Sequence, residues 1–234
     1  MKALRIIVGV LLLPVCLAAT LTLAALVGSA WTPSLLDVPA NVWATLIGFG
    51  VWILVYFGMP RPVRSYVLAH ELSHAIWGWA TGARVHGIRV SQESGSTRLS
   101  KTNLFITLGP YFSPLYMILA VALYMAASVF VDLSPYAILW HALVGFTWGF
   151  HVTFTLSTLS SHQSDIDEFG SLLSYTVIYL FNTLIVIAWV VISSTTTFSQ
   201  FILLMGHNLC RIGCGLWSAA STLADAACTI FGGP

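Results

Sequence analysis

The run YLFNTLIVIAWVVI, residues 179–192, is uncharged and mostly apolar, and its polar and apolar residues do not alternate. Strands of membrane barrels alternate, whereas a spanning helix needs about 20 consecutive, mostly apolar residues. Only helices and closed barrels satisfy the backbone polar groups in lipid, so this run predicts a transmembrane helix. Uncharged stretches of spanning length recur along the chain, at residues 6–30, 42–59, 104–131, 136–161 and 171–193.

The composition predicts the same environment. Of 234 residues, 58% are hydrophobic and only 7% are charged, whereas a soluble domain carries about 25% charged residues. We therefore expect an all-α, multi-pass integral membrane protein of about six transmembrane helices, surrounded by the lipid bilayer. The net charge of +1 gives no indication of a nucleic-acid partner. No stretch between the hydrophobic runs is long enough to bury a core of its own, so no soluble domain is expected.

Three segments are expected along the chain: N-terminal transmembrane segments over 1–65, a core over 66–194 and a C-terminal segment over 195–234. The N-terminus imitates a signal peptide, but its apolar run exceeds the roughly 7 to 15 residues of a signal core, so a retained first span is expected. The C-terminal segment is less hydrophobic, and a last span and an interfacial helix both fit it.

The segment VLAHELSHAIWGWATGARV, residues 67–85, contains the motif H-E-x-x-H at His70, Glu71 and His74. On a helix, the two imidazoles project from one face a turn apart and suit a Zn²⁺ ion, while Glu71 is placed to take a proton from water. An ionisable residue at membrane depth costs about 2.5 kcal/mol or more, so three so close together indicate a function. The alternative is a helix at the membrane interface whose polar side chains are hydrated.

A catalytic zinc site needs a third protein ligand. After Gly82 the chain has a polar segment, residues 83–103, and then two predicted spans. Two crossings return the chain to the same face, so the loop HQSDIDEFG, residues 162–170, must lie on the side of that polar segment. Asp165 or Asp167 in this loop could reach the metal.

The polar segment predicts a short β-hairpin, with RVHGIRV (84–90) and STRLS (96–100) as strands around a turn at Glu93, Ser94 and Gly95. A free strand edge can pair with an extended peptide segment. The hairpin's basic residues predict that it faces the cytoplasm. They are Arg84, Arg89, Arg98 and Lys101.

Over residues 66–170 the chain resembles the site-2 protease family of intramembrane zinc metalloproteases. The resemblance is carried by HELSHAIWGWATGARVHGIRV (70–90), ESGSTRLS (93–100), LGPYFSPLY (108–116) and a downstream aspartate. It implies a zinc metalloendopeptidase that cleaves a membrane-protein substrate. It makes His70 and His74 ligands, Glu71 the catalytic base and Asp165 the favoured third ligand.

The sequence departs from the family pattern at the third ligand. Family members commonly have glycine directly after the ligand aspartate, whereas Ile166 follows Asp165 and Glu168 follows Asp167. Asp165 is favoured because Ser164 could cap a helix and leave Asp165 in its first turn. Asp167 is the alternative.

Two further polar residues lie inside predicted spans. His151 and Asn182 could assist the site, although helix-to-helix hydrogen bonding is their commoner use. The sequence GPYFSP, residues 109–114, predicts either a kink lining the active-site cavity or a simple turn before a span. A different class of function is a metal-binding membrane protein without proteolysis, either an inactive relative acting as an adaptor or a zinc transporter.

Overall fold

The computed structural model describes residues 2–30, 38–92 and 94–231, with side chains to residue 224. The helices are α1 (Lys2–Ala30), α2 (Ala40–Gly58), α3 (Val63–Ala80), α4 (Leu104–Phe112), α5 (Leu115–Ser128), α6 (Ala137–Leu159), α7 (Ser164–Phe169), α8 (Ser171–Ser193) and α9 (Phe198–Phe231). Two strands, β1 (Val85–Val90) and β2 (Gly95–Leu99), follow α3, and a short 3₁₀ helix, Ser134–Tyr136, precedes α6.

The chain forms two compact units. One contains α1, most of α8 and α9, and the other contains α2 to α7 with the hairpin. The division at residues 65 and 194 that the sequence suggests stays a prediction.

Four described helices are long and apolar enough to cross a membrane: Lys2–Ala30, Ala40–Gly58, Ser134–Leu159 and Ser171–Ser193. A fifth crossing is formed if the pair α4 and α5 counts as one span. The helical membrane architecture agrees with the sequence prediction, but the count of about six is not confirmed. Neither the motif helix α3 nor α9 is among these candidates in the described chain, because each is less apolar than a spanning helix.

The predicted span 104–131 is not one straight helix. α4 and α5 meet at a bend of 79°. Ser113 and Pro114 separate them, and Pro114 has no backbone N–H with which to continue the ladder of α4. The sequence GPYFSP, residues 109–114, therefore corresponds to a change of helix direction in the structure.

The hairpin prediction is confirmed. β1 and β2 pair antiparallel, with Val90 opposite Gly95 and Val85 opposite Leu99, and an irregularity lies between Val85 and Gly87. Ser91 and Ser94 close the turn, since the Ser91 amide donates to the Ser94 carbonyl oxygen over 2.8 Å. Glu93, which the sequence places in this turn, lies outside the described residues.

The larger unit is built on close contact between α2 and α6. Gly145 fits against the backbone carbonyl of Thr45, and Gly48 fits against that of Ala142, so the two helices approach at positions without side chains. Next to this contact lies a cluster of buried aromatic residues: Trp52, Tyr56, Phe150 and Phe154. This pairing packs α6 along α2, and α7 begins shortly after the C-terminal end of α6.

The smaller unit packs α1 against α8 and α9 around buried Leu26, Ile187 and Val190. The Asn208 side chain donates to the Thr22 hydroxyl over 3.0 Å, and both residues are buried. Such polar contacts are common between membrane helices. α9 is a single helix.

Candidate metal centre

Three side chains from two helices converge in the larger unit. α3 carries His70 and His74, and α7 carries Asp165. The Asp165 Oδ2 atom lies 3.4 Å from His70 Nε2 and 3.6 Å from His74 Nε2. The three possible ligand atoms all lie within 4.8 Å of one another, so a single metal ion could contact them all.

The two histidines meet Asp165 because of regular helix geometry. Their rings, four residues apart on α3, lie with centroids 4.8 Å apart and nearly perpendicular, at 80°. Both therefore present Nε2 to the same point. The observed spacing is the one that the H-E-x-x-H motif requires.

Asp165 reaches the site through the short helix α7. This helix starts at Ser164, with Gln163 as its N-cap residue and no side-chain capping bond. The expectation that Ser164 caps the helix was therefore wrong, although Asp165 does lie in the first turn. Gly170, with φ of 88°, ends α7 in a conformation that favours glycine, and α8 begins at the next residue.

The carboxyl group of Asp165 is held in its ionised form. Burial raises its pKa, but hydrogen bonds from His70 and Tyr111 and the charges of His74 and His70 outweigh burial. The net pKa of Asp165 lies below its ordinary value. An ionised carboxylate is the form that binds a metal.

Hydrogen bonds behind the histidines orient their rings. Nδ1 of His74 donates to the Ile106 carbonyl oxygen over 2.7 Å. Because a carbonyl oxygen only accepts, Nδ1 carries a proton, and Nε2, the nitrogen that faces Asp165, is the one left to bind a metal. Nδ1 of His70 lies 3.3 Å from the Tyr66 hydroxyl. This is the outer-shell pattern that fixes the tautomer of metal-binding histidines.

Glu71 is buried beside this group, with 6% of its surface exposed. The Thr97 hydroxyl of β2 lies 2.7 Å from Glu71 Oε2 and donates to it, and it is also 3.0 Å from the Glu71 carbonyl oxygen. Gly95 of the same strand lies against the Glu71 carboxylate, where a Cβ atom would come within 2.6 Å of Oε1. The hairpin therefore holds the glutamate of the motif.

Asp167 is not part of the group that His70 and His74 form with Asp165. Its Oδ2 lies 2.8 Å from His162 Nε2, and both side chains are largely exposed. Glu168, the next residue, accepts hydrogen bonds from Thr102 (2.9 Å) and Thr107 (3.0 Å). These bonds join α7 to the start of α4.

The two auxiliary candidates lie in different units. His151 of α6 is buried and lines a small cavity of about 10 Å³ together with Tyr66 and His70. Asn182 belongs to the smaller unit, where its side-chain amide donates to the Ile178 carbonyl oxygen over 2.9 Å. The catalytic assistance suggested for both residues stays a prediction.

An open cavity of about 660 Å³ exposes the cluster. Its walls are formed by α3, β2, the start of α4, the end of α6 and α7, and many lining residues carry hydroxyl groups. This volume falls within the range of about 300 to 1,000 Å³ that is typical of ligand sites. It is large enough for a short extended peptide segment.

The residues present fit a zinc ion. Two imidazole nitrogens and one carboxylate oxygen are the donor set of many catalytic zinc sites. The described cavity wall also contains three carboxylate side chains but one guanidinium group, that of Arg61. The three carboxylates are those of Glu71, Asp165 and Glu168. Arg61 lies over the Tyr56 ring, 4.4 Å from its centroid. A divalent cation would balance the excess negative charge.

A family model described as Peptidase M50B-like matches residues 44–129. Over these residues the chain is similar to this peptidase family, and the similarity supports a relationship to the site-2 proteases. The match includes the motif helix, the hairpin and the α4–α5 bend, whereas Asp165 lies beyond it. No curated protein and no solved structure matches the chain. The relationship to the site-2 protease family therefore rests on the part of the chain that carries both histidines and Glu71.

Two residues of the site gave no distinct sequence signal. Thr97 resembles any threonine in a strand, and Tyr111, which contacts Asp165, resembles any aromatic residue in an apolar run. The only local sign for Tyr111 is its place within the broken segment 109–114. Their roles depend on contacts between residues distant in sequence.

Proposed function

We propose that this protein is an intramembrane zinc metalloprotease that hydrolyses peptide bonds in or beside transmembrane segments of other membrane proteins. The observation that carries this proposal is the convergence of His70, His74 and Asp165 next to the buried Glu71. The relationship to a peptidase family supports the same reaction.

In this proposal His70, His74 and Asp165 hold the zinc ion. Zinc, when bound, polarises the substrate carbonyl and lowers the pKa of a water molecule to about 7. Glu71 takes the proton from the attacking water and returns it to the leaving amine. Thr97 holds the carboxylate in the orientation that this transfer needs.

The substrate must present its backbone in an extended form. The amides of a transmembrane helix are hydrogen-bonded within that helix, so its backbone must open before a carbonyl carbon can be attacked. Four residues of β2, Gly95, Ser96, Thr97 and Leu99, line the cavity. We propose that an unwound substrate segment pairs along this strand, which binds main chain without fixing the sequence.

The orientation in the membrane is also part of the proposal. Four basic residues lie in or beside the hairpin, at 84, 89, 98 and 101. By the excess of positive charge in cytoplasmic loops, the cavity opens towards the cytoplasm. A juxtamembrane or unwound transmembrane segment of the substrate would enter from that side.

The test is cleavage of a model single-span substrate by purified, zinc-loaded protein in lipid vesicles. We expect wild type to cleave, Glu71→Gln to keep its zinc and lose at least about 100-fold in rate, and chelation to abolish the wild-type activity. Asp132→Asn, which removes an exposed carboxylate outside the site, serves as the matched control and should cleave normally. Cleavage by Glu71→Gln at the wild-type rate would contradict the proposal.

A further inference from the structure

Tyr111 occupies the broken segment LGPYFSPLY, residues 108–116, to which the proposed function assigns no role. It lies in the last turn of α4, just before the 79° bend into α5. Its side chain is completely buried, with 0% of its surface exposed. A buried phenol needs a hydrogen-bond partner for its hydroxyl group.

That partner is one of the proposed metal ligands. The Tyr111 hydroxyl donates to Asp165 Oδ2 over 3.0 Å. This is the oxygen that also faces His70 Nε2 and His74 Nε2. The Tyr111 ring further meets the His70 ring edge-on, with centroids 5.4 Å apart and planes at 89°. One buried side chain therefore touches two of the three candidate ligands.

Tyr111 does not reach the space where a substrate would bind. The described lining of the 660 Å³ cavity includes Asp165 but not Tyr111. The tyrosine lies behind the carboxylate, on the protein side. It can act on the reaction only through the residues that it orients.

Tyr111 is itself held on a fixed frame. Trp77, on the helix that carries both histidines, donates from its indole nitrogen to the Ser113 hydroxyl over 2.7 Å. Its ring stacks on Phe105 at 5.6 Å and contacts Gly109, where the missing side chain leaves room for the indole. The motif helix and the broken segment are thus joined on both sides of Tyr111.

The third ligand needs such support because its own helix is short. α7 contains only six residues, and its first turn has no side-chain cap. Without a donor, the Asp165 carboxylate could rotate away from the histidines. Hydrogen bonds to ligating carboxylates orient them, and removing such an outer-shell partner typically lowers metal affinity by about 10- to 100-fold.

We propose that Tyr111 is a positioning residue of the metal centre, which holds Asp165 Oδ2 towards His70 and His74. The break after α4 then belongs to the site, because it presents this tyrosine to α7. The inference rests on the proposed function in one respect: His70, His74 and Asp165 must bind zinc. It requires no proteolysis and concerns the assembly of the ligand set.

The test is zinc titration of the full-length protein with and without the hydroxyl group. Tyr111→Phe keeps the ring and removes the donor, and we expect zinc affinity to fall by about 10- to 100-fold. Tyr116→Phe is the matched control, because that hydroxyl donates over 2.8 Å to the Ser65 carbonyl oxygen, away from the ligands. The control should bind zinc as wild type does. Thermal unfolding of both variants in detergent separates a lost ligand orientation from a lost fold.

Cobalt substitution supplies the second readout. The visible absorption of bound Co²⁺ reports ligand geometry, so Tyr111→Phe should change this spectrum while Tyr116→Phe leaves it unchanged. If Tyr111→Phe binds zinc as tightly as wild type and gives the same cobalt spectrum, the inference is wrong while the proposed zinc site stands. If wild type itself binds no zinc, the proposed zinc site is wrong, and the inference that rests on it is wrong as well. Zinc binding without substrate cleavage would contradict proteolysis but leave the role of Tyr111 intact.

Discussion

Glu71 combines burial with a hydrogen-bond donor from another element. A buried carboxylate is costly unless it is paired, and the Thr97 hydroxyl provides one partner over 2.7 Å. A general base must also be held at hydrogen-bond distance from the proton that it abstracts. Thr97 therefore serves both the stability and the orientation of Glu71.

Replacing Thr97 tests this role directly. Thr97→Val keeps the side-chain shape and removes the hydroxyl, so we expect kcat to fall by about 10- to 100-fold through misplacement of Glu71, with KM and zinc content unchanged. Thr97→Ser retains the hydroxyl and should recover most of the activity. Steady-state cleavage of the single-span substrate measures both parameters. Equal losses in the two variants would assign Thr97 a packing role instead.

At the scale of elements, the hairpin approaches α3 closely at one glycine. A Cβ atom at Gly95 would lie 2.5 Å from Glu71 Cγ. Gly95→Ala should therefore displace the glutamate and lower the cleavage rate by about 10- to 100-fold while zinc content is preserved. Gly87→Ala in β1 is the control, because its nearest neighbour would be Arg98 Nη2 at 3.7 Å. An active Gly95→Ala enzyme would show that the strand does not constrain Glu71.

The contact between α2 and α6 makes a prediction about stability. A side chain at Gly145 would meet the backbone of Thr45, which cannot move aside as a flexible side chain would. We expect Gly145→Ala to lower the free energy of unfolding by about 1 to 3 kcal/mol. Gly50→Ala, where nothing lies within 4 Å of the added Cβ, should be neutral or slightly stabilising. Unfolding in detergent, followed by circular dichroism, compares the two variants, and equal stability would contradict the close contact.

Local signals in the sequence predicted some elements well. The hairpin follows from its β-branched strand residues and the serine and glycine of its turn, and the motif helix follows from the spacing of His70 and His74. The sequence predicted a kink within residues 104–131 only as one of two alternatives, and the structure shows a bend of 79° after Phe112. The prolines and glycine there fit both a kink and a simple turn, and only the packing of Trp77 and Tyr111 distinguishes these two.

The third ligand illustrates the same limit. Counting crossings predicted that the loop 162–170 lies on the side of the hairpin, and the structure places Asp165, not Asp167, beside His70 and His74. The reason offered from the sequence was a cap by Ser164, which the structure does not contain. The observed reason is the contact of α7 with α4 and the residues just before it: Tyr111 donates to Asp165, and Thr102 and Thr107 donate to Glu168. Such long-range contacts are not encoded in a local pattern.

At the scale of the whole molecule, the apolar helices and the family relationship indicate an integral membrane protein. The proposed orientation can be tested with single cysteines in a variant lacking the four native ones. We expect a membrane-impermeant maleimide to label Gln92→Cys, in the hairpin turn, only from the cytoplasmic face, and Asp132→Cys, between α5 and α6, only from the opposite face. The reverse pattern would place the cavity on the outside.

The central claim is that His70, His74 and Asp165 form one zinc site. The most direct measurement is the zinc bound per molecule of purified wild type, Asp165→Asn and Asp167→Asn, all prepared with the metal present. We predict one zinc in wild type and in Asp167→Asn, and a loss of affinity in Asp165→Asn greater than the roughly 10- to 100-fold typical of outer-shell changes. Zinc retained by Asp165→Asn but lost from Asp167→Asn would contradict the ligand set, and so would wild-type protein that binds none.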